Sequence, residues 1–387
     1  MRRFARTLLI LGCTLALLAI SPAPAQQAKG EKEKDRQRKL FDPQHAGPEA
    51  MLQGEYEGKR GVEKFGAQLV ARGERQFHIL LFPGGLPGDG WDGKDYVFME
   101  GGTLKDQRIE FKSSADSGDG AQATVADGKI TGTLKAGDPF VLQRIERCSP
   151  TLGAKPPAQA VVLFDGRDTA AWQDKAPTIE PAALPIMDEH GRLLAGAVSK
   201  RSFRDFTLHL EFYLGFEPEG LPWRRADSGV YLMERYEIAV GDTCGFDFDI
   251  VGTAGRVPPT VFTDKQLKGE KFGLFMGKKN PHPAYCGTLF RANRPAPNYC
   301  FAPLTWQTLD IEFQAPRFDA TGKKQQPATV SAKLNGLPVV ERQTVNGPTA
   351  HGAKGEVPEA PLWLQGYQRT VLYRNIWLVE KNVAAAP

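Results

Sequence analysis

Apolar residues in this chain recur at every second position, and that spacing admits few folds. In Phe206-Thr207-Leu208-His209-Leu210-Glu211-Phe212 the Phe and Leu residues fall on one side, and Thr207, His209 and Glu211 on the other. Leu309, Ile311 and Phe313 oppose Thr308, Asp310 and Glu312 in the same way. Val330, Ala332 and Leu334 alternate up to the turn Asn335-Gly336, after which Val339-Val340 can pair back. A period of two belongs to a half-buried strand, whereas a helix needs a period near 3.6. No extended stretch carries the helical period. The 41 Gly and 29 Pro residues suit many turns and few long helices. With 387 residues, 41% of them hydrophobic and 24% charged, the chain can build two sizeable cores. The expectation is an all-β protein of two domains.

The stretch from Asp227 to Asp242 shows the pattern most usefully. Val230 and Leu232 alternate with Tyr231 and Met233, and Tyr236, Ile238 and Val240 alternate with Glu237 and Ala239. One face of each strand therefore belongs to a core. Glu237 stands on the other face, either as an ordinary solvated residue or as part of a site. Most strand carboxylates simply meet water.

The ends of the domains can be read from composition. Arg2, Arg3 and Arg6 precede an apolar run from Leu8 to Ile20, and Ala23-Pro24-Ala25 offers a small-x-small cleavage pattern. Residues 1–25 are expected to be a signal peptide for export to the periplasm or beyond. Cys13 after Gly12 resembles a lipoprotein cysteine, but cleavage there would leave Thr14 to Ile20 as an apolar tail. The run is short for a membrane span, so an integral membrane protein is not expected. Without the leader the net charge is close to zero, which gives no electrostatic reason to expect nucleic acid as partner. Residues 26–48 are charged with little to bury and read as a solvated tether.

Residues 49–148 read as a small β domain with strands at 54–57, 67–71, 77–82, 96–100, 108–112, 121–126, 129–134 and 139–145. Its unusual piece is the loop from Pro83 to Gly93, where Trp91 stands between Asp89 and Asp92. The tryptophan can stack on a sugar, or it can plug the end of a small barrel. The acid spacing does not match a calcium loop, and no glycine pattern here precedes a helix to cradle phosphate. Residues 149–159, with Pro156-Pro157, read as a linker, and 160–382 as a β-sandwich.

In this second domain an ordered series of motifs appears. L-F-D-G-R with Trp172 is followed by D-F-T-L-H-L-E-F at 205–212, then S-G-V-Y-L and R-Y-E-I at 228–238. W-Q-T-L-D-I-E-F at 306–313, L-N-G at 334–336, L-W-L-Q at 362–365 and Y-R-N-I-W at 373–377 complete it. The series resembles the 3-keto-disaccharide hydrolase family, also described as 3-keto-glucoside 1,2-lyases and 3-keto-2-hydroxyglucal hydratases. The resemblance covers roughly residues 160–380 and implies a concanavalin-like jelly-roll sandwich acting on sugars outside the cytoplasm.

The implied chemistry sets requirements on the site. A ketone at C3 acidifies the hydrogen on C2, a base removes it, and the glycosidic oxygen leaves C1, after which water can add. A carboxylate or histidine base, donors or a divalent metal for the enolate oxygen, and an acid for the leaving group are needed. Glu237, Glu211 and Asp242 are the catalytic candidates. His209, Arg374, Gln365, Tyr367 and Asn335 are candidates for holding the carbohydrate. The sequence departs from the family pattern where histidines often stand: Leu334 precedes the Asn-Gly turn, and Gly366-Tyr367-Gln368 follows Gln365. Metal binding through those imidazoles is not expected. A noncatalytic, lectin-like envelope protein is therefore the rival to the enzyme, and a purely structural envelope protein is a third possibility. Beyond the leader the cysteines are Cys148, Cys244, Cys286 and Cys300, with no C-x-x-C pair. In an exported protein disulfides are expected. Cys286 and Cys300 bracket a loop rich in Pro and Asn, and Cys244 competes for either.

Overall fold

The computed structural model describes residues 24–112, 120–134, 137–175, 186–220, 224–246, 285–290, 298–349, 351–366 and 368–381, with side chains from Glu31 onward. The chain is all-β, with a rolled sheet followed by a sandwich. The first sheet contains β1 (Gly54–Arg60), β2 (Glu63–Ala71), β3 (Gln76–Pro83), β4 (Val97–Thr103), β5 (Ile109–Lys112), β6 (Gln122–Ala126), β7 (Lys129–Thr133) and β8 (Pro139–Ile145). All pair antiparallel in the order β4-β3-β2-β1-β8-β7-β6-β5, and the edge strands β4 and β5 lie in contact. The sheet thus rolls around Tyr56, Phe65, Phe77, Phe111 and Phe140, all fully buried. Gly102 is needed where the edges meet, because a Cβ there would lie 2.4 Å from the Phe111 ring. Trp91 packs on Phe82 at 4.9 Å and on Tyr96, and its indole N–H donates to the Asp95 carbonyl at 2.9 Å. The ring closes a small apolar patch with Leu80 and Leu86 on the outer wall of this sheet.

The second unit contributes β9 (Val161–Phe164), β10 (Trp172–Asp174), β11 (Leu193–Leu194), β12 (Ala197–Phe203), β13 (Phe206–Leu214), β14 (Ser228–Leu232) and β15 (Tyr236–Val240). It continues with β16 (Trp306–Gln314), β17 (Arg317–Phe318), β18 (Lys324–Gln326), β19 (Ala328–Leu334), β20 (Leu337–Val345), β21 (Ala360–Leu364) and β22 (Val371–Glu380). A five-stranded sheet, β10-β12-β21-β14-β15, faces a seven-stranded sheet, β11-β22-β13-β16-β19-β20 with β9 on β22. One apolar core fills the space between them. Phe206, Leu208, Leu210 and Phe212 enter it from one sheet, and Val230, Leu232, Tyr236 and Ile238 from the other. Leu334 is in this core too. The alternation in the sequence therefore sorts core from outer faces as expected, except at Met233, which the turn with positive φ returns to the core.

One segment is corrected. The tether expected over 26–48 contains helix α1 (Pro24–Phe41), followed by the short α2 (Pro48–Leu52). Ion pairs Glu33–Arg36 and Asp35–Lys39 at helical spacing support α1. Its last turn buries Leu40 and Phe41 against Leu194, Tyr213 and Leu372. Two such side chains contribute about 1.5–3 kcal/mol each, enough to dock that turn although the rest of the helix is polar. No helix of the described residues is long and apolar enough to cross a membrane.

The two units meet over a polar and apolar seam. Arg225 donates to the Ala71 carbonyl at 2.8 Å and to Gln53 Oε1 at 3.3 Å. His78 Nε2 lies 2.8 Å from the Gly245 carbonyl, and Val70 packs on Phe246. Residues 149–154 then cross the outer face of the seven-stranded sheet, as described below.

Candidate functional site

The turn Met233-Glu234 between β14 and β15 takes positive φ at both residues, and the register places Tyr231 opposite Glu237 and Gly229 opposite Ala239. Since Val230, Leu232, Tyr236 and Ile238 point into the core, these four stand on the outer face of the five-stranded sheet. Glu237 is only 3% exposed there, so it is not a solvated strand carboxylate. The Tyr231 hydroxyl donates to its Oε2 at 2.7 Å. The carboxylate lies across Gly229, where a Cβ would come within 2.6 Å of Oε1. This explains the glycine in S-G-V-Y-L: any side chain would push the carboxylate away. The loop after β20 completes the enclosure. The Glu237 backbone N–H donates to Thr349 Oγ1 at 2.8 Å, and the His351 backbone N–H donates to the Tyr231 hydroxyl at 3.2 Å. Burial, and then the negative charge and hydrogen bond of Glu237, keep Tyr231 protonated far above its ordinary range.

The next strand widens the face. Trp363 on β21 pairs with Tyr231, their rings 4.5 Å apart at 34°. It is half-buried, and Lys175 Nζ lies 4.4 Å from the ring centroid while pairing with Glu234. The buried Trp363 Nε1 meets no acceptor within the described residues. Gln365 follows two residues later, half-exposed, its backbone N–H donating to the Gly229 carbonyl at 2.8 Å. Asp227 precedes Gly229 by two and is half-buried, and burial pushes its carboxyl up to about 7, with Glu217 adding to the effect. The face thus combines a tyrosine-bound carboxylate, a carboxyl that titrates near neutral pH, an indole, an amide and an ammonium. Such a set can move a proton and hold a polyhydroxylated ligand.

Most of the other candidates stand elsewhere. Glu211 and His209 lie on the outer face of the seven-stranded sheet, beneath the linker. Glu211 accepts hydrogen bonds from Gly153 N at 2.6 Å, Arg374 Nε at 2.6 Å and Asn375 Nδ2 at 2.9 Å, and is 1% exposed. Burial acts to raise its carboxyl, but the nearby His209 imidazole and the hydrogen bonds from Asn375, Arg374 and Gly153 together outweigh it and bring the group to about 2. His209 Nδ1 is 2.6 Å from Asp310 Oδ1, its Nε2 is 3.9 Å from Glu211, and its ring stacks on Trp377 at 5.0 Å. Burial works against its charge, yet Asp310 and Glu211 hold it up at about 9. Thr151 donates to Asp310 at 2.9 Å, and the Ala154 carbonyl accepts from Asn375 at 3.0 Å. Arg374 lies 3.8 Å over the Trp306 ring. This constellation clamps the linker to the sandwich, and neither Glu211 nor His209 reaches the face of Glu237.

Asp242 is also committed. Arg225 Nε donates to its Oδ2 at 2.8 Å, and both side chains are buried at the seam with the first sheet. Burial raises its carboxyl, with Arg225 opposing. Asn335 holds the turn before β20: its Oδ1 accepts Thr308 N at 3.1 Å, and its Nδ2 donates to Gln307 Oε1 at 3.0 Å and to the Tyr299 carbonyl at 3.1 Å. Tyr367 lies outside the described residues. Cys244, Cys286 and Cys300 are buried as free thiols, and Cys148 is exposed. Among the described residues no three histidine, cysteine or carboxylate side chains are placed to hold a metal ion. Of the candidates, then, Glu237 and Gln365 share a face. Tyr231, Trp363, Lys175 and Asp227 join them. Alternation could have placed Asp227 and Tyr231 there, whereas Trp363 and Lys175 arrive through strand pairing that has no local signal.

The family model for the 3-keto-alpha-glucoside-1,2-lyase-like domain matches residues 159–379, more than half of the chain. Solved structures of proteins from Parabacteroides distasonis, provisionally named glycosyl hydrolases, are similar. One is 24% identical over 58% of this chain and 85% of its own, with a TM-score of 0.41. A second is 12% identical over 58% of this chain and 94% of its own, with a TM-score of 0.35. No curated protein matches the chain.

Proposed function

The chain belongs to the 3-keto-alpha-glucoside-1,2-lyase-like family, and from that premise we propose that it cleaves or hydrates 3-keto-glycosides on the outer face of its five-stranded sheet. Family membership makes it a carbohydrate-active protein. The observation that carries the finer reading is the Tyr231–Glu237 hydrogen bond, 2.7 Å long, beside the half-buried Trp363 and Gln365. Glu237 takes the C2 proton that the C3 ketone acidifies. The electron pair of that C–H bond forms the enolate, and on its collapse the C1–O bond breaks. Asp227, with its carboxyl at about 7, gives a proton to the departing oxygen. Water adding across the new C1–C2 double bond completes a net hydrolysis. Tyr231 fixes the carboxylate, and because it stays protonated it is a donor for a developing oxyanion. The indole of Trp363 supports the apolar side of a pyranose, and Gln365 meets its hydroxyls.

A binding-only role is the second reading. It is favoured by the 3% exposure of Glu237, since an enclosed carboxylate can serve as a fixed acceptor. Incubation with a panel of 3-keto-glucosides in heavy water separates the two. The enzyme releases aglycone and leaves deuterium at C2, and Glu237→Gln lowers turnover by roughly two to four orders of magnitude. Saturable binding without aglycone release on every substrate supports the lectin-like reading instead. The basic and apolar leader at 1–25 supports export to the periplasm or medium, which cell fractionation tests.

A further inference from the structure

Beside the strand that carries Glu237, two cysteine residues are held together by a polar node. Thr243 Oγ1 donates to Asn298 Oδ1 at 3.0 Å and accepts the Cys286 backbone N–H at 3.3 Å. The same Asn298 oxygen accepts the Cys300 backbone N–H at 3.2 Å, while Asn298 Nδ2 donates to the Thr243 carbonyl. The two cysteines thus share anchors on one threonine and one asparagine. Cys300 Sγ donates to the Phe301 carbonyl at 3.3 Å and lies 3.6 Å from the Gly241 carbonyl, and Cys244, which follows Thr243 directly, is the third cysteine of the group. All three are buried in the sandwich core, 1–4% exposed. No step of the proposed sugar chemistry uses them.

Immediately after Cys286, the chain forms the outer neighbour of β15. Ala239 N–H donates to the Thr288 carbonyl at 2.9 Å, Gly287 N–H to the Ala239 carbonyl at 2.8 Å, and Phe290 N–H to the Glu237 carbonyl at 3.0 Å. Residues 287–290 therefore protect the edge of the strand that bears Glu237, and Cys286 is their first anchor.

We propose that Cys286 and Cys300 are a disulfide site whose bridge locks residues 287–290 onto the edge of β15, with Cys244 left as a thiol. Two thiols give up two protons and two electrons to a small disulfide such as glutathione disulfide, which leaves as two thiols. One thiolate attacks that disulfide, and the second displaces glutathione from the mixed disulfide. Burial keeps the Cys300 thiol protonated well above its ordinary range, so it is a poor nucleophile once enclosed. The bridge accordingly forms during folding, before the segment closes. It does not depend on the reaction catalysed, only on an oxidising compartment.

The test uses the full chain, refolded from reducing denaturant into mixed oxidised and reduced glutathione and recovered as the folded fraction by gel filtration. Remaining thiols are blocked under denaturing conditions, and tryptic peptides are read by mass spectrometry. The expected product links the Cys286 and Cys300 peptides and carries a blocked Cys244, and Cys244→Ser gives the same link. A Cys244 linkage, or a folded fraction with both Cys286 and Cys300 blocked, overturns the proposal. Hydrogen exchange at Ala239, Gly287 and Phe290 should slow at least tenfold in the bridged protein relative to the reduced one. Equal rates overturn the locking role.

Discussion

The clearest perturbation is Glu211→Gln, because it separates a structural role for this carboxylate from a catalytic one. Glu211 Oε1 accepts Gly153 N and Asn375 Nδ2, and Oε2 accepts Arg374 Nε. A glutamine can keep one side of this set, but its amide group then presents a donor to a donor on the other. Holding the carboxyl at about 2 against an ordinary 4.5 corresponds to about 3 kcal/mol of folding free energy. Arg374 is 39% exposed, so part of its share is screened. The expected cost is about 2–3 kcal/mol, which moves a urea midpoint by roughly 1 M. The pH dependence carries a sign for each partner. The Glu211 carboxyl is depressed, so its contribution is present above about 4.5 and lost as pH falls toward 2. The His209 imidazole is raised, so its contribution is present below about 6.5 and lost as pH rises through 9. Urea titrations of wild type should therefore show a plateau between those inner limits, and Glu211→Gln should flatten its acid side. A variant with the wild-type urea midpoint but no turnover would mean that Glu211 acts in catalysis, and the clamp reasoning would be refuted.

Further expectations concern the face of Glu237 and the seam. Gly229→Ala forces the carboxylate of Glu237 from its place, so turnover should fall by at least tenfold while thermal unfolding shifts little; unchanged kinetics would detach the glycine from the site. If Asp227 supplies the proton, kcat/KM declines as pH rises through about 7, and Asp227→Asn removes that limb of the profile. Arg225→Met leaves the buried Asp242 without its guanidinium and should cost about 3–5 kcal/mol, read by denaturant unfolding at neutral pH. A cost below about 1 kcal/mol would show that the pair is not needed at the seam.

The strands were legible because their signals are local. Alternation and the intervening glycine turns gave each strand between residues 54 and 145, and the same alternation separated core from outer face along β13 to β16. Helix α1 was not legible, since eighteen largely polar residues give no apolar stripe, and only Leu40 and Phe41 reveal where its end docks. Parity also could not say what covers an outer face. Thr207, His209 and Glu211 read as a polar surface open to ligand, yet a linker with hydroxyls and free backbone N–H groups lies there and satisfies it. Asp242 follows β15 directly, but its partner Arg225 comes from before β14 and binds the first sheet. The described donors differ from one of these carboxylates to the next. Arginines hold both Glu211 and Asp242 in place, joined at Glu211 by the Gly153 backbone amide. Glu237 faces a tyrosine hydroxyl, which can surrender the contact when the carboxylate gains a proton and turn its hydrogen to another oxygen. Strand position proposed the candidates, whereas the donors around each become visible only once the strands are paired.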